Sequence, residues 1–161
     1  MRTRDVQPAD SSWVSDLIRT RWKGPFVITK GRTHDTRRLP GIAACDGDVP
    51  VGLLLYADNG PEIEIVTLDA LRQGQGIGRT LLDAISEYAS KRATRRLWLI
   101  TTNDNIGAVA FYTRCGFRLV AVHLDAVTRA RQLKPEIPLV GEGGIAIRDE
   151  LEFEKICPTN R

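Results

Sequence analysis

Three glycines at two-residue spacing, Gly74, Gly76 and Gly78, begin nine residues after the run Glu62-Ile63-Glu64-Ile65. Glycines leave backbone N–H groups unshielded. At the start of a helix those groups, with about half a positive charge from the helix dipole, form a cradle for an anion such as phosphate. Two common phosphate loops do not fit. A dinucleotide fingerprint begun at Gly74 needs glycine where Arg79 stands, and begun at Gly76 it needs glycine where Leu81 stands. A P-loop begun at Gly74 needs Gly-Lys-Ser/Thr where the chain has Arg79-Thr80-Leu81. By itself the triplet is equally a flexible turn. Glu62 and Glu64 are two apart, so on a strand they share a face. His34 and His123 are the only histidines and stand far from any cysteine pair, which argues against a metal site. For His34 a surface position is the plainer reading.

These groups need elements to hold them. Glu62, Glu64, Val66 and Leu68 alternate with Ile63, Ile65 and Thr67, the period of a strand. Beyond Gly78 the apolar residues Leu81, Leu82, Ile85, Tyr88 and Ala89 recur at helical spacing opposite Asp83, Glu87 and Lys91. The glycine loop therefore joins a strand to a helix. RRLWLITT reads as the next strand. Ala108, Phe111, Tyr112 and Cys115 then share one helical face, buried at Cys115, before Gly116 ends the helix. FRLVAVHLD is a further strand. Upstream, Trp13, Val14, Leu17 and Ile18 predict a helix over 11–22, and residues 41–58 predict a hairpin turning at Gly47. The tail 138–155 reads as a hairpin whose second strand sets Leu151 and Phe153 against Glu150, Glu152 and Glu154. The order predicts an α/β (α+β) domain with a mixed sheet, antiparallel hairpins surrounding a strand-helix-strand unit. No repeat or linker divides residues 1–161, so a single domain is expected.

With 42% apolar and 27% charged residues, the 161-residue chain can bury a core, which excludes disordered and collagen-like classes. A net charge of +3 is too small to point to nucleic acid, and no such partner is expected. The start lacks an apolar signal core and the longest apolar run, Val51–Ala57, is too short to span a bilayer, so no membrane is expected. Cys45, Cys115 and Cys157 form no CxxC pair, which suits a reducing compartment and a cytoplasmic location. Charge is unevenly spread: residues 41–70 hold six acidic and no basic side chains, and 71–100 hold six basic and two acidic.

Gln73-x-x-Gly76-x-Gly78 resembles the acetyl-CoA signature Q/R-x-x-G-x-G/A of the GNAT superfamily of N-acetyltransferases. A second block, Asn105-x-x-Ala108-x-x-Phe111-Tyr112-x-x-x-Gly116-Phe117, is similar to that superfamily's other hallmark, and the resemblance runs from about Leu39 to Lys155. It implies the acyl-CoA N-acyltransferase fold, with a mostly antiparallel central sheet flanked by helices. It also implies acetyl-CoA as co-substrate, no metal, and direct acetyl transfer to a primary amine of an unidentified small-molecule or protein acceptor. A non-catalytic acyl-CoA-binding regulatory module is the alternative. The oligomeric state stays open, with a homodimer as one candidate.

An amine with a pKa near ~10.4 is almost wholly protonated at neutral pH, so transfer requires a proton acceptor. The resemblance implies Glu64 in this role, acting through water, with Glu62 as the other candidate. The second position used by the family is Ile100 here, which cannot serve. Tyr112 stands where the family carries its general acid, one side of the helix with Asn105. Val66, Thr67 and Leu68 are implied as the backbone strip that pairs with pantetheine, with an N–H near Leu68 facing the oxyanion. Gln73, Gly74, Gln75, Gly76, Ile77, Gly78 and Arg79 would hold the pyrophosphate, and Asn105 the lower arm. Arg72, Arg79 and the Arg95-Arg96 pair are candidates for the 3′-phosphate, individually plainer as surface charges. Asp69, Asp125, Asp149 and Glu150 are candidate amine contacts, again plainer as surface charges. Trp13, Trp22 and Trp98 read as core. On this reading the acidic stretch 41–70 marks the acceptor side and the basic stretch 71–100 the phosphate end.

Overall fold

A computed structural model describes residues 1–158. The chain runs β1 (Arg2–Asp5), α1 (Ser11–Trp22), β2 (Phe26–Thr29), β3 (Arg32–Asp35), β4 (Gly41–Asp46), β5 (Val49–Asp58), β6 (Glu62–Ala70), α2 (Ile77–Lys91), β7 (Arg96–Thr102), α3 (Ile106–Arg114), β8 (Arg118–His123), α4 (Ala126–Leu133) and β9 (Glu150–Ile156). Seven strands form one sheet in the order β1-β4-β5-β6-β7-β9-β8, while β2 and β3 form a separate hairpin. Every neighbouring pair is antiparallel except β6 and β7. That parallel pair requires a crossover, and α2 supplies it. The mixed sheet with a central strand-helix-strand unit agrees with the sequence reading.

The sheet is covered on both sides. On one face Ile77, Leu81, Leu82, Ile85 and Ala89 of α2 are buried with Ile63, Ile65, Leu97, Leu99 and Phe153 of the strands, and Phe111 and Tyr112 of α3 and Cys115 just after it pack on them. Cys115 is half-buried here rather than buried. On the other face α1 packs Trp13, Val14, Leu17 and Ile18 on Leu53 and Leu55 of β5, and Val27 of β2 meets Ala57 and Val66. Asp10 anchors the entry to α1, accepting hydrogen bonds from the Gln7 amide, the Trp13 indole and, at 2.7 and 2.8 Å, the Arg4 guanidinium.

Two elements differ from the sequence reading. The tail is not a local hairpin: β9 inserts between β7 and β8, and 138–149 contributes a single isolated bridge, Val140 to Ala146. Strand alternation in residues 150–154 was legible, but its partners lie dozens of residues upstream. The helix α4 was not anticipated, because its apolar contact consists of only Ala126, Val127 and Ala130. Asn103 holds the returning segment in place, accepting the amides of Arg148 and Asp149 and donating to the Ala146 carbonyl. No helix among the described residues is long and apolar enough to cross a membrane.

Candidate active site

The site begins with an irregularity in β6. Opposite β5 the register passes from Tyr56↔Ile65 to Leu55↔Thr67, leaving Val66 as an extra residue. A bulge breaks the two-residue period and bends its strand. Val66 and Thr67 consequently both face α1 and the β2–β3 hairpin, and Leu68 turns to the α2 side instead of continuing the face of Glu64. The bend also ends pairing with β7, which extends only from Glu62↔Arg96 to Ile65↔Leu99. Among the described residues, the β7-facing backbone groups from Val66 to Ala70 have no strand partner. An unpaired edge thus opens in the middle of the sheet, the arrangement that accepts an extended molecule carrying amides.

This edge runs into the glycine loop. Gly74 and Gly76 have φ of +74° and +73°, a left-handed conformation that favours glycine, and the space before both is open. Gly76 caps α2 without a side-chain acceptor, and the first helical bond is donated by the Thr80 amide to the Gly76 carbonyl at 3.0 Å. Among the described residues, the amides of Ile77, Gly78 and Arg79 are therefore unclaimed donors at a positive dipole end. Gly78 has a different reason: a Cβ there would lie 2.9 Å from Cζ of Phe111, so glycine lets α2 and α3 close together. Gln73 and Gln75 are exposed beside the loop, whereas the Ile77 side chain is buried in the core. These residues fit a pyrophosphate on backbone donors.

The charged candidates are placed less simply. The Arg79 guanidinium donates to the Arg114 carbonyl at 3.2 Å, and Arg72 pairs with Asp46 at 3.0 Å. Arg95 and Arg96 cannot reach the loop. Because β6 and β7 are parallel, Arg96 lies where β6 begins, about 30 Å of strand from where it ends. There Arg96 is bound to Glu152 and Glu154 and lies 3.4 Å from Glu62. The two charge blocks likewise do not form two poles. Asp46, of the acidic block, sits beside Arg72 near the glycine loop, while Arg92 and Arg96 lie at the far end with Asp58 and Glu62.

Past the parting strands lies a cleft of about 320 Å³ between the end of α1, β2, α4, Val66 in the middle of β6 and the end of β7. Its walls include Trp22, Val27, Val66, Ile100 and Ile147, and its polar groups include Thr29, Asn105 and Glu150. Asn105 accepts the Ala108 amide at 3.1 Å, so it caps α3 while facing the cleft. Behind Thr29 is Glu64, only 1% exposed. The Thr29 hydroxyl donates to Glu64 Oε1 at 2.5 Å, and His34 Nε2 lies 2.9 Å from Thr29 Oγ1 and 3.1 Å from Glu64 Oε2. Since the Thr29 proton is committed to Glu64, Nε2 carries the hydrogen shared by those two oxygens. His34 is thus buried and not a surface residue: the β2–β3 hairpin presses it onto the sheet.

Three further expectations of surface charge are overturned. Asp69, Asp149 and Glu150 are buried, and only Asp125 is exposed. Asp69 accepts the Trp22 indole N–H at 2.9 Å, and burial raises its carboxyl pKa. Asp149 accepts the Asp125 amide at 2.8 Å. Glu150 accepts the Lys30 amide at 2.9 Å, and burial is the main cause of its raised pKa. Lys30 also reaches Glu152 at 3.2 Å, so the tip of the β2–β3 hairpin is tied to β9. Thr29 and Lys30 were missed in the sequence. The signal was present: FVIT and RTHD flank Lys30-Gly31, and both turn residues have positive φ, as a tight hairpin requires.

Tyr112 packs edge-on against Phe111 and Phe117 beside the core. Burial, then the charge of Asp69, raises its pKa, so the phenol stays protonated. Trp98 is half-buried between the cations of Lys30 and Arg96, 5.0 and 5.4 Å from its ring centre.

Comparison with known proteins shows the family and the fold. Residues 11–117 match the acetyltransferase (GNAT) family model. Two uncharacterised proteins of Bacillus subtilis (strain 168) are similar along most of their length. YdhI is 39% identical over 89% of this chain and 90% of its own, and YxbD is 38% identical over 88% and 90%. The fold also resembles that of a Bacillus subtilis acetyltransferase solved in complex with CoA, with a TM-score of 0.69, 22% identity and coverage of 96% of this chain and 97% of that one. An unpaired strand edge leading into a glycine cradle and a cleft, carried on a chain with these matches, identifies the protein as a member of the acetyltransferase (GNAT) family.

Proposed function

We propose that this protein transfers the acetyl group of acetyl-CoA directly to a primary amine bound in the cleft. The observation that carries the reading is the unpaired edge Val66–Ala70, which joins a backbone anion cradle at one end to a cleft backed by Glu64 at the other. Acetyl-CoA supplies an activated acyl thioester. The backbone of Val66, Thr67 and Leu68 aligns its pantetheine arm, the amides from Gly74 to Arg79 hold its pyrophosphate, and Asn105 meets the lower arm. The Leu68 region offers an N–H to the carbonyl oxygen as negative charge develops.

Glu64 takes the amine proton through Thr29 rather than directly. The amine passes a proton to Thr29 Oγ1 as the hydroxyl passes its own to Glu64 Oε1, a path supported by the 2.5 Å hydrogen bond and by the position of Thr29 in the cleft wall. Glu62 is the weaker candidate, being exposed and facing Arg96. Tyr112, kept protonated by burial, donates to the departing thiolate. An acid and a base so placed have no use in a module that only binds acyl-CoA. The test is CoA-thiol release against an amine panel. Glu64→Gln should lower kcat about 10²-fold at pH 7, the range of a lost general base, and turnover equal to the parent would remove Glu64 from the mechanism.

The same reading places the enzyme in the cytoplasm, supported by the free thiols of Cys45, Cys115 and Cys157. It is compatible with a homodimer through β8, an edge strand exposing Leu119, Val120 and Val122.

A further inference from the structure

The cleft carries its charges in an order that bears on what it accepts. Its buried carboxylate is Glu150, 2% exposed, with a single hydrogen bond, from the Lys30 amide, among the described residues. The ammonium of the same lysine, Lys30, is spent on Glu152. His123 and Arg129 act on Glu150 only through longer-range charge, opposed by Glu64, and burial outweighs them; a carboxylate so held favours a cation placed directly against it. Three cations, Arg21, Lys23 and Lys134, line the same cleft, and none has an acidic partner within 4 Å among the described residues. Lys134 donates to the Trp22 and Phe26 carbonyls, which hold its ammonium there although burial lowers its pKa, and Asp69 and Glu136 are felt by Arg21 and Lys134 only at longer range. The remaining walls are largely apolar, and about 320 Å³ is at the small end for a ligand site.

We infer that the acceptor is a small primary amine with an apolar body and an anionic group, an amino acid or a molecule built like one. Glu150 holds its ammonium, and Arg21, Lys23 and Lys134 face its anion. This rests on the acetyl-transfer reading and narrows it. A polyamine or other polycation would meet one carboxylate and three like charges, and a large sugar amine would exceed the volume. Glu150 binds the acceptor, whereas Glu64, behind Thr29, takes its proton.

The test measures kcat/KM for leucine and phenylalanine, for isoamylamine and phenethylamine, which are the same bodies without the carboxylate, and for spermidine. Each amino acid should exceed its decarboxylated counterpart at least tenfold, and the Arg21→Glu/Lys23→Glu double variant should shrink that ratio at least tenfold. Glu150→Gln should raise KM at least tenfold for all four monoamines without lowering Tm, since burial disfavours the ionised carboxyl and glutamine can still accept the Lys30 amide. A purely structural Glu150 would instead lose Tm and leave KM unchanged. Preference for spermidine, or an amino-acid preference indifferent to the double variant, would overturn the inference and leave acetyl transfer standing. Acetyl-CoA binding with no CoA release from any of the five amines would overturn both.

Discussion

Replacing Thr29 by valine exchanges a hydroxyl for a methyl of the same shape at the point where the cleft meets Glu64. Thr29 is buried and its hydrogen bond to Glu64 Oε1 is 2.5 Å, so the change removes one bond to a carboxylate, a loss of about 2 kcal/mol. For a chain of this size that corresponds to a fall of roughly 4–8 °C in Tm. His34 remains as a donor to Glu64, so the fold should persist. The kinetic effect should be larger: with the relay cut, kcat at pH 7 should drop about 10²-fold, the low end for general base catalysis. An amine of pKa ~10.4 is neutral in about 1 molecule in 2,500 at pH 7 and about 1 in 25 at pH 9, so the deficit should narrow as pH rises. Thr29→Ser restores the hydroxyl and should recover most of the rate. Stopped assays of thiol release from pH 6 to 10, with melting curves for each variant, read both effects. A folded Thr29→Val enzyme within threefold of the parent at pH 7, or a serine variant no faster than the valine, would refute the relay.

Gly78→Ala should cost about 1–3 kcal/mol by overpacking against Phe111 and weaken acetyl-CoA binding, with Phe111→Leu restoring part of both in calorimetry and binding. Glu152 is buried, which opposes ionisation, yet hydrogen bonds from Arg96, His123 and Lys30 hold its carboxyl pKa at about 2, against 4.5 when exposed. A depressed carboxylate stabilises fully above the unfolded value and less as pH falls through the folded one, so about 3 kcal/mol should disappear between pH 4.5 and 2. Denaturant titrations should show that acid limb flattened in Glu152→Gln. Tyr112→Phe should reduce kcat at least tenfold while leaving the acetyl-CoA Kd within twofold, measured by equilibrium binding beside turnover; an equal loss in both would assign Tyr112 to packing.

The strands and helices that are periodic in themselves are legible in the sequence. Leu81, Ile85 and Ala89 specify α2 and the Asp-Gly-Asp turn specifies the β4–β5 hairpin, because each depends on side chains a few residues apart. The glycine cradle was legible for the same reason, since left-handed backbone at Gly74 and Gly76 is a local demand. The bulge at Val66 was not. Its alternation reads as an unbroken strand, and only the register against β5 reveals the extra residue, the reversed face of Leu68 and the opening from β7. Glu150 and His34 looked like surface residues because burial is decided by what packs over them, and their covers come from remote parts of the chain. The sequence by itself determined the family and the glycine loop that opens α2, both written in short spacings. Tertiary structure decided which carboxylate, Glu150, lines the cleft and which, Glu64, lies behind a threonine, because the electrostatics of a cleft are the sum of groups that only the fold brings together.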